Sequence, residues 1–158
     1  MDLTSVFQWF SGTWAAKLIG DSIWIFPAIE AVHIVALTVL LGAILFMDLQ
    51  MLGFVRRDTP VGKLSNELDP WVFSSLIIIL LSGFLLFSSE AMKLYFNVPF
   101  QVKMIALLLA IVFHFTVHRW IVRADSVRSR PVWSRVTAVI SIMLWLTVGF
   151  SGRAIGFF

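Results

Sequence analysis

Cysteine is absent from this 158-residue chain, which removes disulfides, zinc knuckles, thiolate chemistry and the Cys-x-x-Cys-His attachment of c-type haem. Charge is scarce too: 13% of the residues are charged, where a soluble domain carries about a quarter. A soluble fold is excluded. The net charge of +3 and pI near 9.8 do not imply a nucleic-acid partner, because the basic residues fall in two loops instead of covering one face. The start, MDLTSVFQWF, lacks a basic n-region and a small-residue cleavage site, so it does not read as a removable signal peptide. There is no internal repeat and no low-complexity segment.

What is present is hydrocarbon. Hydrophobic residues make up 59% of the chain and mean hydropathy is +0.94, with length for one modest domain. Four stretches meet the roughly 20-residue requirement for a spanning helix: Ile23 to Phe54, Pro70 to Ser89, Phe100 to Ile121, and Trp133 to Phe150. They predict an all-α integral membrane four-helix bundle, a single transmembrane domain over residues 1–158. Ahead of it, Val6, Phe7, Trp9, Phe10, Trp14, Leu18 and Ile19 alternate with Asp2, Gln8 and Lys17, as in a short N-terminal interfacial helix. The first span is longer than a bilayer needs, and Asp48 to Gly53 should emerge from it as a helical extension. Pro60, Asp69-Pro70, Asn97-Val-Pro99 and Arg130-Pro131 mark the loops.

The first and third loops share a side and carry Arg56, Arg57, Lys63, Arg119, Arg123, Arg128, Arg130 and Arg135, eight basic residues against four on the other side. By the positive-inside bias, both termini face the periplasm of a bacterial inner membrane.

Polar residues inside a bilayer are expensive, so their placement is informative. Glu30, His33 and Asp48 share a stripe of the first span with Leu37, Leu41 and Ile44. Ser75, Ser82 and Ser89, with Gly83, mark a small-residue face on the second, and these serines and Gly42 are read as allowing close packing. The third span repeats Lys103, Leu107, Ile111, His114 and His118, and the fourth Thr137, Ser141, Trp145, Gly149 and Arg153. Turning these stripes inward makes a bundle with a functional interior.

All three histidines lie within spans. A b-type haem between helices needs inward imidazoles, small residues along its edge, aromatics on its faces and cations for its propionates. His33 and His114 are the expected axial pair, with His118 the alternative on the third span. Counted from the outer side their depths match; counted from the inner side they match less well, which leaves room for His33 at an outer site and His114 or His118 at an inner one. Lys103 and Arg153 fall where propionates would emerge, and Glu30 stands one turn before His33, within reach of its second ring nitrogen. Trp9, Trp14, Trp24, Trp71, Trp120 and Trp133 suit interfacial belts, whereas Trp145 is deep enough to lie beside a cofactor.

The same residues support a different class, a metal-ion (Cu, Zn or Fe) binding or transport protein. Glu30-x-x-His33 has di-iron-like spacing, and His114-x-x-x-His118 is a two-imidazole chelate on one helix face. One deep carboxylate falls short of the roughly four that di-iron chemistry uses, and the scattered methionines form no copper motif.

The ordered set Glu30-Ala-Val-His33, Gly42, Met47-Asp48-Leu49-Gln50-Met51-Leu52-Gly53, Phe100-Gln-Val-Lys103, His114 and Gly152-Arg153-Ala-Ile-Gly156 resembles a family of small bacterial four-helix inner-membrane proteins of unassigned function. More loosely, the chain is similar to four-helix cytochromes b and to the copper-resistance D membrane domain. The cytochrome resemblance implies haem and electron exchange with a quinone; the copper-resistance resemblance implies metal passage. Three histidines fall short of the four that two fully ligated haems use. The expectation is a haem b electron-transfer protein or subunit of a redox system rather than a stand-alone enzyme, exchanging with quinone or a periplasmic carrier, and assembled as a homodimer or higher homo-oligomer.

Overall fold

The computed structural model describes residues 18–19, 22–55, 60–91, 94, 97–123 and 131–157. The expected N-terminal interfacial helix lies, but for Leu18 and Ile19, outside the described residues. Four long helices follow: α1 (Ile25–Leu52), α2 (Val61–Ser89), α3 (Val98–Arg123) and α4 (Pro131–Ala154), the last continued by a 3-10 turn, Ile155–Phe157. No strand occurs among the described residues. Each helix is long and apolar enough to cross a membrane, the one irregularity-tolerant way for a chain to satisfy its backbone there.

The outward faces confirm the solvent. Between 17% and 33% of each spanning window is buried within the bundle, and Val35, Leu81, Leu108, Met143 and Phe150 point outward, a surface that only lipid accommodates. Outward threonine hydroxyls are closed on their own helix: Thr38 donates to the Ile34 carbonyl, Thr116 to Val112 and Thr147 to Met143, so these donors are satisfied facing hydrocarbon. Inside, lipid tails are as apolar as leucine and association rests on close packing. Ala36, Ala43, Ala106, Ala110 and Ala138 therefore occupy buried positions between larger Leu40, Ile44, Met47 and Val148.

The helices run up, down, up, down. α1 packs along α2 and against α4, and α3 packs along α4. At the side bearing the α1–α2 and α3–α4 loops, Asp69 of α2 meets Arg119 (2.8 Å) and Arg123 (3.8 Å) of α3. At the opposite side, which carries the chain ends, Phe87 of α2 stacks on Phe100 of α3, ring centroids 5.6 Å apart. Asn97 caps α3 by accepting from the Phe100 N–H (3.1 Å), and its amide donates to the Ile155 carbonyl (3.4 Å), tying α3 to the end of α4.

The start of α2 departs most from the sequence expectation. α2 begins at Val61, nine residues before Pro70, which sits inside the helix. The added turns are amphipathic, and Val61 and Leu64 bury against the rest of the bundle, so packing outweighs the proline. α1 ends as expected beyond Asp48, at Gly53. There a positive φ of 87° lets the Gly53 N–H reach the Gln50 carbonyl and the Phe54 N–H reach that of Leu49, both at 3.0 Å, a Schellman closure suited to glycine.

Candidate functional site

α1 and α3 run parallel, and their polar residues fall in two layers. Fifteen residues separate His33 from Asp48 on α1, and fifteen separate Lys103 from His118 on α3. At 1.5 Å per residue both intervals are about 22 Å. The lower layer is fixed by contact: His118 Nε2 lies 2.9 Å from Asp48 Oδ1. By the same count Lys103 falls near the level of His33, close enough for its charge to act on the ring.

In the upper layer the His33 ring is 8% exposed and its Nδ1 lies 2.8 Å from Ser82 Oγ of α2. The single Ser82 hydroxyl proton is committed to the Ile78 carbonyl at 2.6 Å. Ser82 Oγ consequently accepts from His33, which places the ring proton on Nδ1 and leaves Nε2 with its lone pair. Gly83, the next residue of α2, makes room for the ring. A Cβ built there would stand 3.2 Å from His33 Cε1, closer than most side-chain contacts, so the ring would have to give by a few tenths of an ångström. Across the bundle, a Cβ on Gly152 of α4 would lie 3.4 Å from Lys103 Nζ, so this glycine lets the lysine lie against α4.

Gly83→Ala should therefore push the anchored imidazole off Ser82 and lower stability by roughly 1–3 kcal/mol, the usual cost of overpacking. Gly42→Ala is the control, since nothing lies within 4 Å of a Cβ at Gly42. Thermal unfolding of the detergent-solubilised variants compares them. Equal midpoints for the two variants would contradict the packing of His33 on Gly83.

The lower layer is built around a π-turn, His114–His118, inside α3. In a regular α-helix every fourth residue advances about 40° around the axis, so the buried series Ala106, Ala110, His114, His118 would rotate off the interior. The wider π-turn takes that rotation back and keeps both imidazoles inward, a distortion frequent at functional sites. The two rings stack with centroids 4.9 Å apart. His118 is 2% exposed and Asp48 fully buried. Ser141 of α4 lies near the Asp48 carboxylate, short of a closed hydrogen bond. Asp48 Oδ2, Ser141 Oγ and His114 Nδ1 are buried without a hydrogen-bond partner.

The candidate residues are thus sorted by level. His33 and Lys103 share the upper layer; His118 lies in the lower one, with His114 about one turn above it. His114 is therefore about 16 Å from the level of His33 along the helix axes. One iron takes both axial imidazoles at nearly one level, so the expected His33–His114 pair does not form across a single iron in this arrangement. Glu30 is exposed, and the ring partner expected of it is Ser82 instead. Arg153 is also exposed and stacks on Phe157, 5.1 Å from the ring centroid. Trp145 is buried in the apolar core between the layers. Ser82 was read from sequence as a packing residue; its place opposite His33 follows from the antiparallel α1–α2 pairing. Among the described residues no group of three or more His, Asp or Glu side chains is placed to hold a metal ion.

These features define a multi-pass four-helix membrane protein with ionisable side chains in two internal layers. Over residues 6–158 the chain matches a family of unknown function, DUF6644, and it belongs to that family. No curated protein and no solved structure matches it.

Proposed function

We propose that the protein is a b-type cytochrome of the bacterial inner membrane, with both termini on the periplasmic side, passing electrons within or across the bilayer. The observation that carries this reading is the buried imidazole of His33, anchored through Nδ1 on Ser82 of the neighbouring helix. A metal-bound histidine is characteristically held in this way, its second nitrogen donating to a fixed acceptor that sets the tautomer and orients the ring. His33 is the iron ligand in this reading, and neither His114 nor His118 is assigned to the iron.

The remaining residues of the upper layer fit the group. Lys103 offers a cation for its carboxylates, and Gly83 and Gly152 leave the space in which the His33 ring and the Lys103 side chain lie. Haem, when bound, supplies a one-electron iron couple. The chain excludes water from His33 and fixes its ring, two of the means by which a protein tunes such a couple. Quinone or a periplasmic carrier is the exchange partner, and a homodimer is the proposed assembly. With Glu30 exposed, the Glu30-x-x-His33 half of the metal-ion reading has no inward carboxylate, and that reading rests on His114 and His118.

The test is an absorption spectrum of the purified, detergent-solubilised protein before and after dithionite. A Soret band that shifts on reduction is expected. A colourless protein that fails to take up added haemin would refute the reading.

A further inference from the structure

The lower layer is not used by the upper one, and its chemistry is of a different kind. A carboxylate and an imidazole lie 2.9 Å apart in the interior of a spanning bundle, neither more than 2% exposed. Ionisable groups at such depth commonly mark proton or ion pathways. Beside them are three further polar atoms buried without a partner, Asp48 Oδ2, His114 Nδ1 and Ser141 Oγ, contributed by three different helices. A water molecule is held in a buried site by two to four such partners.

Among the described residues, the polar line with unpartnered hydroxyls that leads to this cluster comes from the two-loop side. α4 starts at the two-loop side, and its Ser134, Thr137 and Ser141, about one turn apart, are each at most 3% exposed. Ser134 Oγ is likewise unpartnered. Toward the opposite side the next turns are Ile44 and Leu40 on α1, Val72, Leu76 and Ile79 on α2, Ala110 and Ala106 on α3, and Trp145 and Val148 on α4, all buried, and the buried Ser75 of α2 closes its hydroxyl on the Trp71 carbonyl of its own helix.

We infer that Asp48 and His118 form a proton-binding site, hydrated through Asp48 Oδ2, Ser141 and His114, that exchanges protons with the two-loop side along Ser134, Thr137 and Ser141. Uptake forms an O–H bond at Asp48 Oδ2 and leaves water where hydronium stood; nothing is oxidised or reduced. The groups around it are accounted for on every packed helix. Asp48 is the buried charge of α1. Asp69 of α2 is taken up by Arg119 and Arg123 of α3. His114 stacks on His118, and Arg135 of α4 is exposed. The apolar turns above make the site one-sided, so it binds protons without conducting them through the bilayer. This inference does not depend on haem.

Infrared spectroscopy of the full-length protein, titrated in water and in heavy water, tests it. A carboxylic acid carbonyl band that grows as pH falls and shifts on deuteration is expected, with loss of that band in Asp48→Asn and slower deuteration in Ser134→Ala/Ser141→Ala. The nitrogen-15 shifts of His118 in the unaltered protein should move over the same pH interval, a check independent of how the variants fold. In vesicles, the protein should leave the decay of a pH gradient as slow as in protein-free vesicles. Absence of an Asp48 band across the pH range in which the protein stays folded overturns the site. Faster gradient decay overturns its one-sidedness.

Discussion

His33→Ala should abolish the haem spectrum of the purified protein while the bundle stays folded, because the substitution deletes the one imidazole of the upper layer. The ring lies at a helix contact and not in the densest core, so truncation leaves the packing of Leu40, Ile44 and Val148 untouched. Ser82→Ala removes the acceptor for Nδ1–H but keeps the ligand atom, and outer-shell changes of this kind cost about 10–100-fold in affinity. Haem retention should therefore fall in the order unaltered protein, Ser82→Ala, His33→Ala. His114→Ala, about 16 Å away in level, should retain the spectrum. Haem titration of the apoproteins measures all four. Should His33→Ala keep an unchanged spectrum while His114→Ala loses it, the iron belongs to the lower layer and the upper assignment is wrong.

His118→Leu carries the largest expected cost to stability. It leaves the Asp48 carboxylate, fully buried, without the donor that satisfies Oδ1, while Oδ2 has none already. Breaking a buried pair by removing one partner destabilises by about 3–5 kcal/mol, whereas replacing both partners by apolar residues is often neutral or stabilising. Asp48→Leu/His118→Leu should accordingly recover most of the stability that His118→Leu loses. Asp48→Asn keeps an acceptor for His118 and should cost less than His118→Leu. Unfolding of the unaltered protein, Asp48→Leu, His118→Leu and Asp48→Leu/His118→Leu in one detergent closes the cycle. Additive single and double effects would show that the two side chains are not coupled, contrary to their 2.9 Å contact.

Much of this architecture was legible in the chain before any coordinates. Four apolar runs of membrane-spanning length have one regular solution in lipid, and the helices fall where the runs do, with shifted ends. The inward stripes were also legible: His33, His114 and His118 are all buried, as are Thr137, Ser141 and Trp145 of α4. Helical periodicity fixes which residues of one helix share a face, and the cost of polarity in hydrocarbon fixes which face turns inward.

The level of one helix against another was not legible. Counting inward from Lys103 as though it marked the membrane surface set His33 opposite His114. In the structure Lys103 lies at the depth of His33, and His118 meets Asp48. Periodicity within a helix says nothing about its axial offset from a neighbour, and a loop of several residues tolerates many offsets. The π-turn is equally invisible to a 3.6-residue reading, because it is selected by the need to keep His114 and His118 facing inward together. Likewise α2 extends nine residues before Pro70, because Val61 and Leu64 find partners only once the bundle is assembled.

The sequence alone determined that this protein is a four-helix membrane bundle with histidines inside, since burial of polarity and the length of hydrocarbon runs are properties of each helix by itself. Only the tertiary structure decided which partners those histidines have, Ser82 for His33 and Asp48 for His118. Contact between helices depends on their relative height and rotation, and these are set by packing across the whole bundle.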